Sequence, residues 1–162
     1  MCSWEGVKCM TKMNISTWKE FRVGDLFDVY NGKKYPKDKR ILGDLHLVSN
    51  TVFNNGIDMY IEERNDSVYS NFISVAYGSG TGVAFYHSGR HFVGETVMAL
   101  VPRFDMSENI GEFVSVILTS YGKQYFTYDK KPKVDEYRTS MMIMLPATEN
   151  GEPDWSHGKL YS

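Results

Sequence analysis

The stretch FISVAYGSGTGVAFY, residues 72–86, decides the fold of this chain. Two apolar runs rich in β-forming residues, FISVA and VAFY, flank the segment GSGTG at residues 78–82. Strand, permissive turn and returning strand in this order are typical of a β-hairpin. The glycines allow another backbone or a ligand to approach closely, and Ser79 and Thr81 offer hydroxyl groups with little bulk. We therefore predict a core hairpin whose tip is available for contact, although a tight turn with no further role fits the same pattern.

Length and composition limit the classes of protein to which the chain can belong. Its 162 residues suffice for one compact domain with its own core, and its hydrophobic and charged fractions are ordinary for a globular protein. No apolar run approaches the roughly 18 residues that span a bilayer. Residues 1–14 lack the apolar stretch of a secretory signal and show no periodic pattern. We therefore expect a cytoplasmic protein without a membrane partner, preceded by a partly disordered leader over residues 1–14.

The cysteines and the net charge argue against several functions. Cys2 and Cys9 are the only cysteines, and their placement supports neither a disulfide framework nor a zinc site. The formal net charge of −2 gives no global reason to expect nucleic acid as a partner. Any case for DNA binding must therefore rest on local clusters of positive charge.

The rest of the chain alternates between short strand patterns and turns. Asn31-Gly32 and Asn54-Asn55-Gly56 are strong turn signals, and Pro102 closes an apolar run. Between such breaks we predict strands over residues 23–30, 45–48, 59–61, 91–93, 96–101 and 141–145. These strands would extend the sheet that the central hairpin begins.

One long helix is evident. Over residues 108–121 the apolar side chains recur at helical spacing on one face. Ser107 or Asn109 can cap this helix, and with Asn109 as the cap Glu112 completes a capping box. We expect the helix to end at Gly122 and to pack its apolar face on the sheet. The predicted fold class is therefore α+β, a curved, mainly antiparallel sheet with one long packed helix and several recognition loops.

Three loops carry the residue types that contact DNA. Residues 33–40 contain five basic residues and one acidic residue, and residues 49–55 are rich in amides and hydroxyls. Residues 123–138 mix lysines with tyrosines. Cations meet phosphates, and amide and hydroxyl groups meet base edges. If these loops converge with the glycine tip they form a basic face, whereas each loop taken singly also fits an ordinary solvated surface.

The residue types needed for catalysis are scattered. His46, His87, His91 and His157 have no partner at metal-ligand spacing. His87 and His91 could face each other across a hairpin, and we expect a solvated pair there. The segment at residues 78–82 is neither a P-loop nor a dinucleotide fingerprint, because a strand follows it. We therefore predict no catalytic residue, no metal and no cofactor, and a small hydrolase using His87 and His91 is the weaker alternative.

An ordered series of motifs, spread over residues 17–155, resembles a known family. These motifs are similar to target recognition domains in the specificity subunits of type I restriction-modification systems, and of related type II systems with separate specificity subunits. The matching segments are residues 18–21, 23–29, 32–34, 47–56, 73–86, 125–130, 143–146 and 151–155.

The resemblance implies a double-stranded DNA-binding domain that reads one half-site and carries no catalytic centre. It also implies methyltransferase and restriction subunits as partners, with a second recognition domain or a homodimer as further candidates. Residues 15–155 would form the single recognition domain. Residues 156–162 would be a short tail without the long spacer helix that usually follows such domains. The alternative is an interaction module that assembles with methyltransferase subunits or with itself and does not read DNA.

The predicted DNA-binding residues fall into groups by their chemistry. Cations expected on phosphates are Lys33, Lys34, Lys37, Lys39, Arg40, Lys130, Lys131 and Lys133. Polar residues expected to contact base edges or to position the duplex are Ser49, Asn50, Asn54, Asn55, Ser79 and Thr81. Tyr77 and Tyr128 complete the predicted set.

Overall fold

The computed structural model describes residues 15–78 and 82–156 of the chain. Strands in these ranges are β1 (Trp18–Arg22), β2 (Phe27–Asn31), β3 (Leu42–Val48), β4 (Ile57–Ile61), β5 (Val68–Tyr69), β6 (Phe72–Ala76), β7 (Ala84–His87), β8 (His91–Val93), β9 (Val97–Pro102) and β10 (Met142–Pro146). The α-helices are α1 (Val23–Leu26), α2 (Glu108–Tyr125) and α3 (Val134–Thr139), and 3₁₀ turns lie at Ile15–Thr17, Lys37–Lys39 and Asn54–Gly56. The predicted leader, Cys2, Cys9 and residues 157–162 of the predicted tail lie outside the described residues.

The strands pair into three sheets within the described part of the chain. A central antiparallel sheet has the order β2-β9-β6-β7, and a second four-stranded sheet has the order β4-β3-β8-β5. In the second sheet β3 and β8 run parallel, while the other pairs are antiparallel. Strands β1 and β10 form a separate antiparallel pair. The predicted α+β class, mainly antiparallel with one long helix, is confirmed, and the strands are divided among three sheets.

The predicted core hairpin is present at the centre of the molecule. Strand β6 pairs with β7 on one side and with β9 on the other, and all five of its residues are buried. Ile73 and Val75 belong to the main core, whereas Phe72 packs with Val48 and Val93 between the two larger sheets. A strand that is covered on both faces needs apolar residues at consecutive positions. The unbroken run FISVA therefore marks the strand around which both cores are built.

Helix α2 covers the central sheet as its apolar face predicts. Ile110, Val114 and Leu118 are buried in the same cluster as the inward residues of β6. The N-cap is Ser107, whose Oγ accepts a hydrogen bond from the backbone N–H of Ile110 at 3.3 Å. The predicted end at Gly122 was wrong, because the helix continues to its last residue Tyr125. A buried glycine inside the helix costs some helical propensity, and packing against the tip of the hairpin offsets that cost.

Two local predictions were also wrong. Residues 23–26 form the short helix α1 before β2 begins, since the N–H of Val23 donates to the carbonyl of Met141 at 2.9 Å and docks this turn on the end of α3. Residues 134–139, predicted as loop, form α3, which is too short for a periodic pattern. Its Tyr137 is fully buried, and Arg138 donates through Nε and Nη2 to the carbonyl of Val29. Tertiary contacts therefore stabilise both short helices. Among the described residues, no helix is both long and apolar enough to cross a membrane.

Candidate nucleic-acid interface

The two ends of the glycine tip contact two different predicted recognition loops. A Cβ atom at Gly78 would lie 2.7 Å from Nδ2 of Asn50 and 3.0 Å from Cβ of Thr96. Gly82 has a φ of +80°, and a Cβ there would lie 3.1 Å from the hydroxyl oxygen of Tyr137. Only glycine fits such close approaches without displacing a neighbour. Gly78 therefore lies against the loop at residues 49–55 and Gly82 against the segment after α2, while residues 79–81, with the predicted Ser79 and Thr81, lie outside the described residues.

A cavity of about 570 Å³, which we call the loop cavity, opens next to Gly78. The basic loop contributes Tyr35, Lys37 and Arg40, and the polar loop contributes residues 49–53. Its remaining lining is Leu47, Asp58 and the β8–β9 turn with Gly94, Glu95 and Thr96. Four predicted DNA-binding residues therefore share one cavity, namely Lys37, Arg40, Ser49 and Asn50.

Within the basic loop, some cations are held by carboxylates and others are not. Arg40 Nη1 lies 3.6 Å from Asp58 Oδ2, and its Nε donates to the carbonyl of Tyr35 at 3.3 Å. Lys33 Nζ lies 3.8 Å from Asp66 Oδ2. The exposed side chains without an ion pair to any described residue are Lys34, Lys37 and Lys39. Arg40 is therefore largely a structural cation, and the lysines carry the available charge.

Asp66 does not fully neutralise the charge of Lys33. Arg64 donates from Nε and Nη2 to the same Asp66 oxygen, at 3.1 and 3.0 Å. The hydrogen bond from Arg64 lowers the pKa of Asp66, and the charges of Arg64 and Lys33 lower it further. One carboxylate thus faces two cations, and the group keeps a net positive charge at the edge of the second sheet.

The polar loop is held by its own hydrogen bonds. Ser49 N–H donates to the carbonyl of Gly56 at 2.9 Å, and Asn54 and Asn55 adopt positive φ values of 50° and 55°. Asn54 Nδ2 donates to the carbonyl of Ile57 at 3.4 Å, and Asn55 Nδ2 donates to the carbonyl of Tyr86 at 3.0 Å. The side-chain amide groups of both asparagines thus donate hydrogen bonds to backbone carbonyls. Asn55 lines a separate groove along α2 and not the loop cavity.

The lysines after α2 do not line the loop cavity. Thr127 and Lys130 exchange backbone hydrogen bonds of 3.0 and 3.1 Å, and Lys131 Nζ lies 4.9 Å from the ring centroid of Tyr128. Lys130 lines a second cavity of about 300 Å³, with Tyr125 among its neighbours. Lys133 precedes α3, and its side chain is exposed. These predicted residues form a second basic group that is absent from the lining of the loop cavity.

Tyr77 holds the hairpin to the β8–β9 turn. Its N–H donates to the carbonyl of Thr96 at 3.0 Å, and its hydroxyl donates to the carbonyl of Glu95. Burial raises the pKa of the Tyr77 hydroxyl, and the nearby Glu95 raises it further. The hydroxyl therefore stays protonated as a donor, and this contact positions the turn that lines the loop cavity.

The predicted set omits several residues that line the loop cavity, and three of these carry polar side chains that could contact DNA. Thr51, Glu95 and Thr96 supply hydroxyl and carboxylate groups to the loop cavity. Thr51 belongs to a loop that was predicted as a whole, whereas Thr96 was assigned to the strand over residues 96–101 and Glu95 fell in the break before it. The signal was the short polar turn GET between two apolar strands, where polar side chains are free to face a ligand.

The predicted solvated histidine pair is wrong. His87 is 2% exposed and His91 is 7% exposed, and their ring centroids lie 4.6 Å apart in the interior. His91 Nδ1 donates to the carbonyl of Gly89 at 2.7 Å, so its Nε2 accepts from Nδ1 of His46 at 3.1 Å. His87 Nε2 and Ser74 Oγ are 2.8 Å apart. Burial, with a smaller effect of His91, lowers the pKa of His87 to about 3, and the imidazole is therefore neutral at pH 7.

These features define a recognition domain: a two-sided β core carries polar and basic loops around a glycine tip. Residues 15–156 match the family model of the type I restriction modification DNA specificity domain, and the chain belongs to that family. The resemblance to target recognition domains of specificity subunits is thereby confirmed.

The chain is similar to a curated protein and to solved structures of this kind. It is 22% identical over 158 residues to the specificity subunit S.BcgI of the Type II restriction enzyme BgcI from Heyndrickxia coagulans. This alignment covers 97% of this chain and 46% of that protein. The S subunit of a type I restriction-modification system from M. genitalium superposes with a TM-score of 0.60 at 16% identity, over 81% of this chain and 35% of that chain.

The HsdS subunit from Thermoanaerobacter tengcongensis superposes with a TM-score of 0.61 at 11% identity, over 90% of this chain and 36% of that chain. At such identities the structural likeness shows the fold alone. The chain spans less than half the length of these relatives.

Proposed function

We propose that this chain is a sequence-specific double-stranded DNA-binding domain that reads one half-site. One observation carries the proposal: the basic loop and the polar loop share the loop cavity next to the glycine tip. Phosphate contacts supply affinity and fix the register of a protein on the duplex, whereas amide and hydroxyl groups discriminate base edges. A surface with both groups on adjacent walls suits this division of labour.

The distribution of charge supports a contact with phosphates despite the net charge of −2. Lys37 lines the loop cavity, and Lys130 of the second basic group lines the second cavity. Six of the lysines predicted to contact DNA are exposed and have no ion pair to any described residue, namely Lys34, Lys37, Lys39, Lys130, Lys131 and Lys133. Because phosphate charge is repeated along each strand, one duplex offers many positions at which lysines can bind. Lys33 adds to this field, because Arg64 already satisfies much of Asp66.

We include no catalytic step in the proposal. The histidines that offered the weaker hydrolase reading are buried and engaged in hydrogen bonds. Within residues 15–78 and 82–156, no group of three or more His, Cys, Asp or Glu side chains is arranged to hold a metal ion. Methyltransfer and cleavage would belong to methyltransferase and restriction subunits that assemble with the chain. We further propose that residues 15–155 form one recognition domain.

A second candidate function is assembly without DNA reading, and the outer side of α2 favours it. Val116 is 68% exposed there and borders a groove of about 510 Å³ with Phe85 and Lys123. An exposed apolar side chain beside a groove suits contact with a methyltransferase subunit, a second recognition domain or a second copy of this chain. Copurification with a methyltransferase subunit, without binding to any duplex, would favour this candidate.

Selection from randomised duplexes tests the main proposal. The full chain should enrich a short motif, and its affinity for that motif should fall with salt by a slope of roughly −0.9 per phosphate contacted. The Lys19→Gln variant is a matched control, because Lys19 lies on β1 and lines neither the loop cavity nor the second cavity. No enriched sequence, together with an affinity indifferent to salt, would refute the proposal.

A further inference from the structure

Two adjacent apolar side chains protrude from the loop cavity. Val52 is 51% exposed and Phe53 is 78% exposed, although both residues line this cavity. A phenyl ring in water is unfavourable, and ordinary folding would cover it. The flanking residues Thr51 and Asn54 are polar, so Val52 and Phe53 form an isolated apolar pair on a polar loop. Such a feature suits contact with a partner that offers a flat apolar surface.

The backbone that carries Phe53 is fixed. Its N–H donates to Thr51 Oγ1 at 3.2 Å, and its carbonyl accepts from the N–H of Gly56 at 3.0 Å. The next two residues, Asn54 and Asn55, lie in the left-handed region, which asparagine tolerates better than most residues but at some cost. The Asn55 side chain anchors this turn to the backbone of β7. The exposed ring is therefore presented by a preorganised turn, which reduces the entropy lost on binding.

The surroundings of the ring indicate the chemistry of the partner. Lys37 lies on the opposite loop of the same cavity, without an ion pair to any described residue. Asn50 and Thr51 add amide and hydroxyl groups. The formal charges of Lys37 and Arg40 equal those of Asp58 and Glu95 within the lining, and the exposed Lys34 and Lys39 of the same basic loop add positive charge beside it. A partner that meets these lysines and the ring together is anionic on its outside and offers stacked apolar rings between its charged groups. A nucleic-acid duplex has this construction, with base pairs between two phosphate backbones.

The inference rests on the proposed function and extends it to a distortion of the DNA. The geometry points to Phe53 as a wedge that inserts between two adjacent base pairs of the bound duplex, with Val52 packing beside it. Apolar side chains on other DNA-binding proteins unstack base steps in this way and kink the duplex by about 20–90°.

The wedge also gives a source of sequence preference that needs no hydrogen bond. Pyrimidine–purine steps unstack more easily than other steps. Because Phe53 and Asn50 lie on one rigid loop, the favoured step should stand at a fixed distance from the bases that Asn50 contacts. The selected motif should therefore contain a TA or CA step at a constant position, even where the protein donates no hydrogen bond to it.

The experiment places 2-aminopurine beside each step of the selected duplex and follows its fluorescence on titration with the full chain. Fluorescence should rise at one step only, because unstacking removes the quenching by neighbouring bases. Phe53→Ala should abolish this rise and weaken binding about 10- to 100-fold, the value of one buried aromatic side chain. Phe53→Leu should keep most of both effects, since leucine is also an apolar wedge.

The Leu42→Ala variant is the matched control. Leu42 is also 78% exposed, but it begins β3, whereas the loop with Phe53 follows the end of that strand. Binding by Leu42→Ala should stay within about twofold of the unmodified chain, because its side chain does not face the loop cavity. Circular dichroism on both variants confirms that they are folded, as expected for changes at exposed positions.

Each outcome separates the wedge from the proposed function. If Phe53→Ala binds and unstacks DNA as Leu42→Ala does, the wedge is refuted while DNA reading stands. If the unmodified chain binds no duplex in a salt-dependent manner, both are refuted. If Phe53→Ala binds DNA normally but loses copurification with a methyltransferase subunit, Phe53 belongs to a protein contact and the wedge is refuted.

Discussion

Acid should destabilise this domain through one buried histidine. His87 is 2% exposed, and burial lowers its pKa from the ordinary 6.5 to about 3, with a smaller contribution from His91. Below pH 6.5 the unfolded chain takes up a proton at this residue, whereas the folded chain does not until about pH 3. Stability is therefore complete above pH 6.5 and is lost as the pH falls through this window. Each pH unit within it costs about 1.4 kcal/mol, so acidification from pH 7 to pH 5 costs about 2 kcal/mol.

The measurement is urea unfolding of the full chain at pH 7 and at pH 5, followed by tryptophan fluorescence. In the His87→Gln variant the free energy of unfolding should change about 2 kcal/mol less between these pH values, because glutamine does not titrate. Its amide oxygen can still accept the hydrogen bond of Ser74. A remaining, weaker dependence is expected from His91, whose pKa burial also lowers. An equal pH dependence in the unmodified chain and the variant would show that His87 is protonated without cost, and the reasoning would fail.

Further changes test the surface and the fold. Lys37→Gln should weaken DNA binding at low salt and reduce the salt slope by about 1, and the slope itself is the measurement because a folding defect would not alter it in this way. Asn50→Ala should relax the preference at one position of the motif by about 1–3 kcal/mol in competition binding, with other positions unchanged. Ser107→Ala removes the N-cap of α2 and should cost about 1 kcal/mol of unfolding free energy in urea. Leu118→Ala opens a hole under the same helix and should cost about 2–5 kcal/mol, which thermal unfolding would show as a lower Tm.

The sequence predicts the core well, because a strand buried on two faces has apolar residues at consecutive positions. The run at residues 72–76 is apolar at consecutive positions, and the helix after Ser107 has a continuous apolar face. Both patterns arise within one element and need no knowledge of the partner strands. The division into three sheets, in contrast, depends on pairings such as β3 with β8 that join residues 45 positions apart. The hydrophobic pattern of one segment does not indicate which distant strand pairs with it.

The sequence did not predict the short helices, because their stability also depends on contacts with distant residues. Helices α1 and α3 have four and six residues, too few for either to stabilise itself or to display a period. Val23 is fixed by Met141, and Arg138 by the carbonyl of Val29. The burial of His87 and His91 was missed in the same way, because polar side chains beside a turn are usually exposed. The hydrogen bond between His46 and His91 becomes possible only when β3 and β8 are adjacent.

The candidate site was predictable by type of residue but not by arrangement. Lysines, amides and hydroxyls in three loops indicate a polyanion, yet the sequence did not distinguish Arg40, which Asp58 holds, from Lys37, which no described carboxylate holds. It also did not reveal Glu95. A turn between two strands becomes part of a site only where the fold places it opposite other polar loops, and the local sequence does not show that placement.

The fold keeps its buried core constant while the loop residues can vary in sequence. The solved structures share the fold at 11–16% identity, which requires that burial patterns persist while side chains change. Under the proposed function, base choice would depend on a few loop residues, and exchange of those residues would leave the buried strands unaffected. Gly78 joins the buried strand β6 to the loops, and any side chain there would displace Asn50 or Thr96. A recognition surface can therefore diverge quickly around a tip that has to stay small.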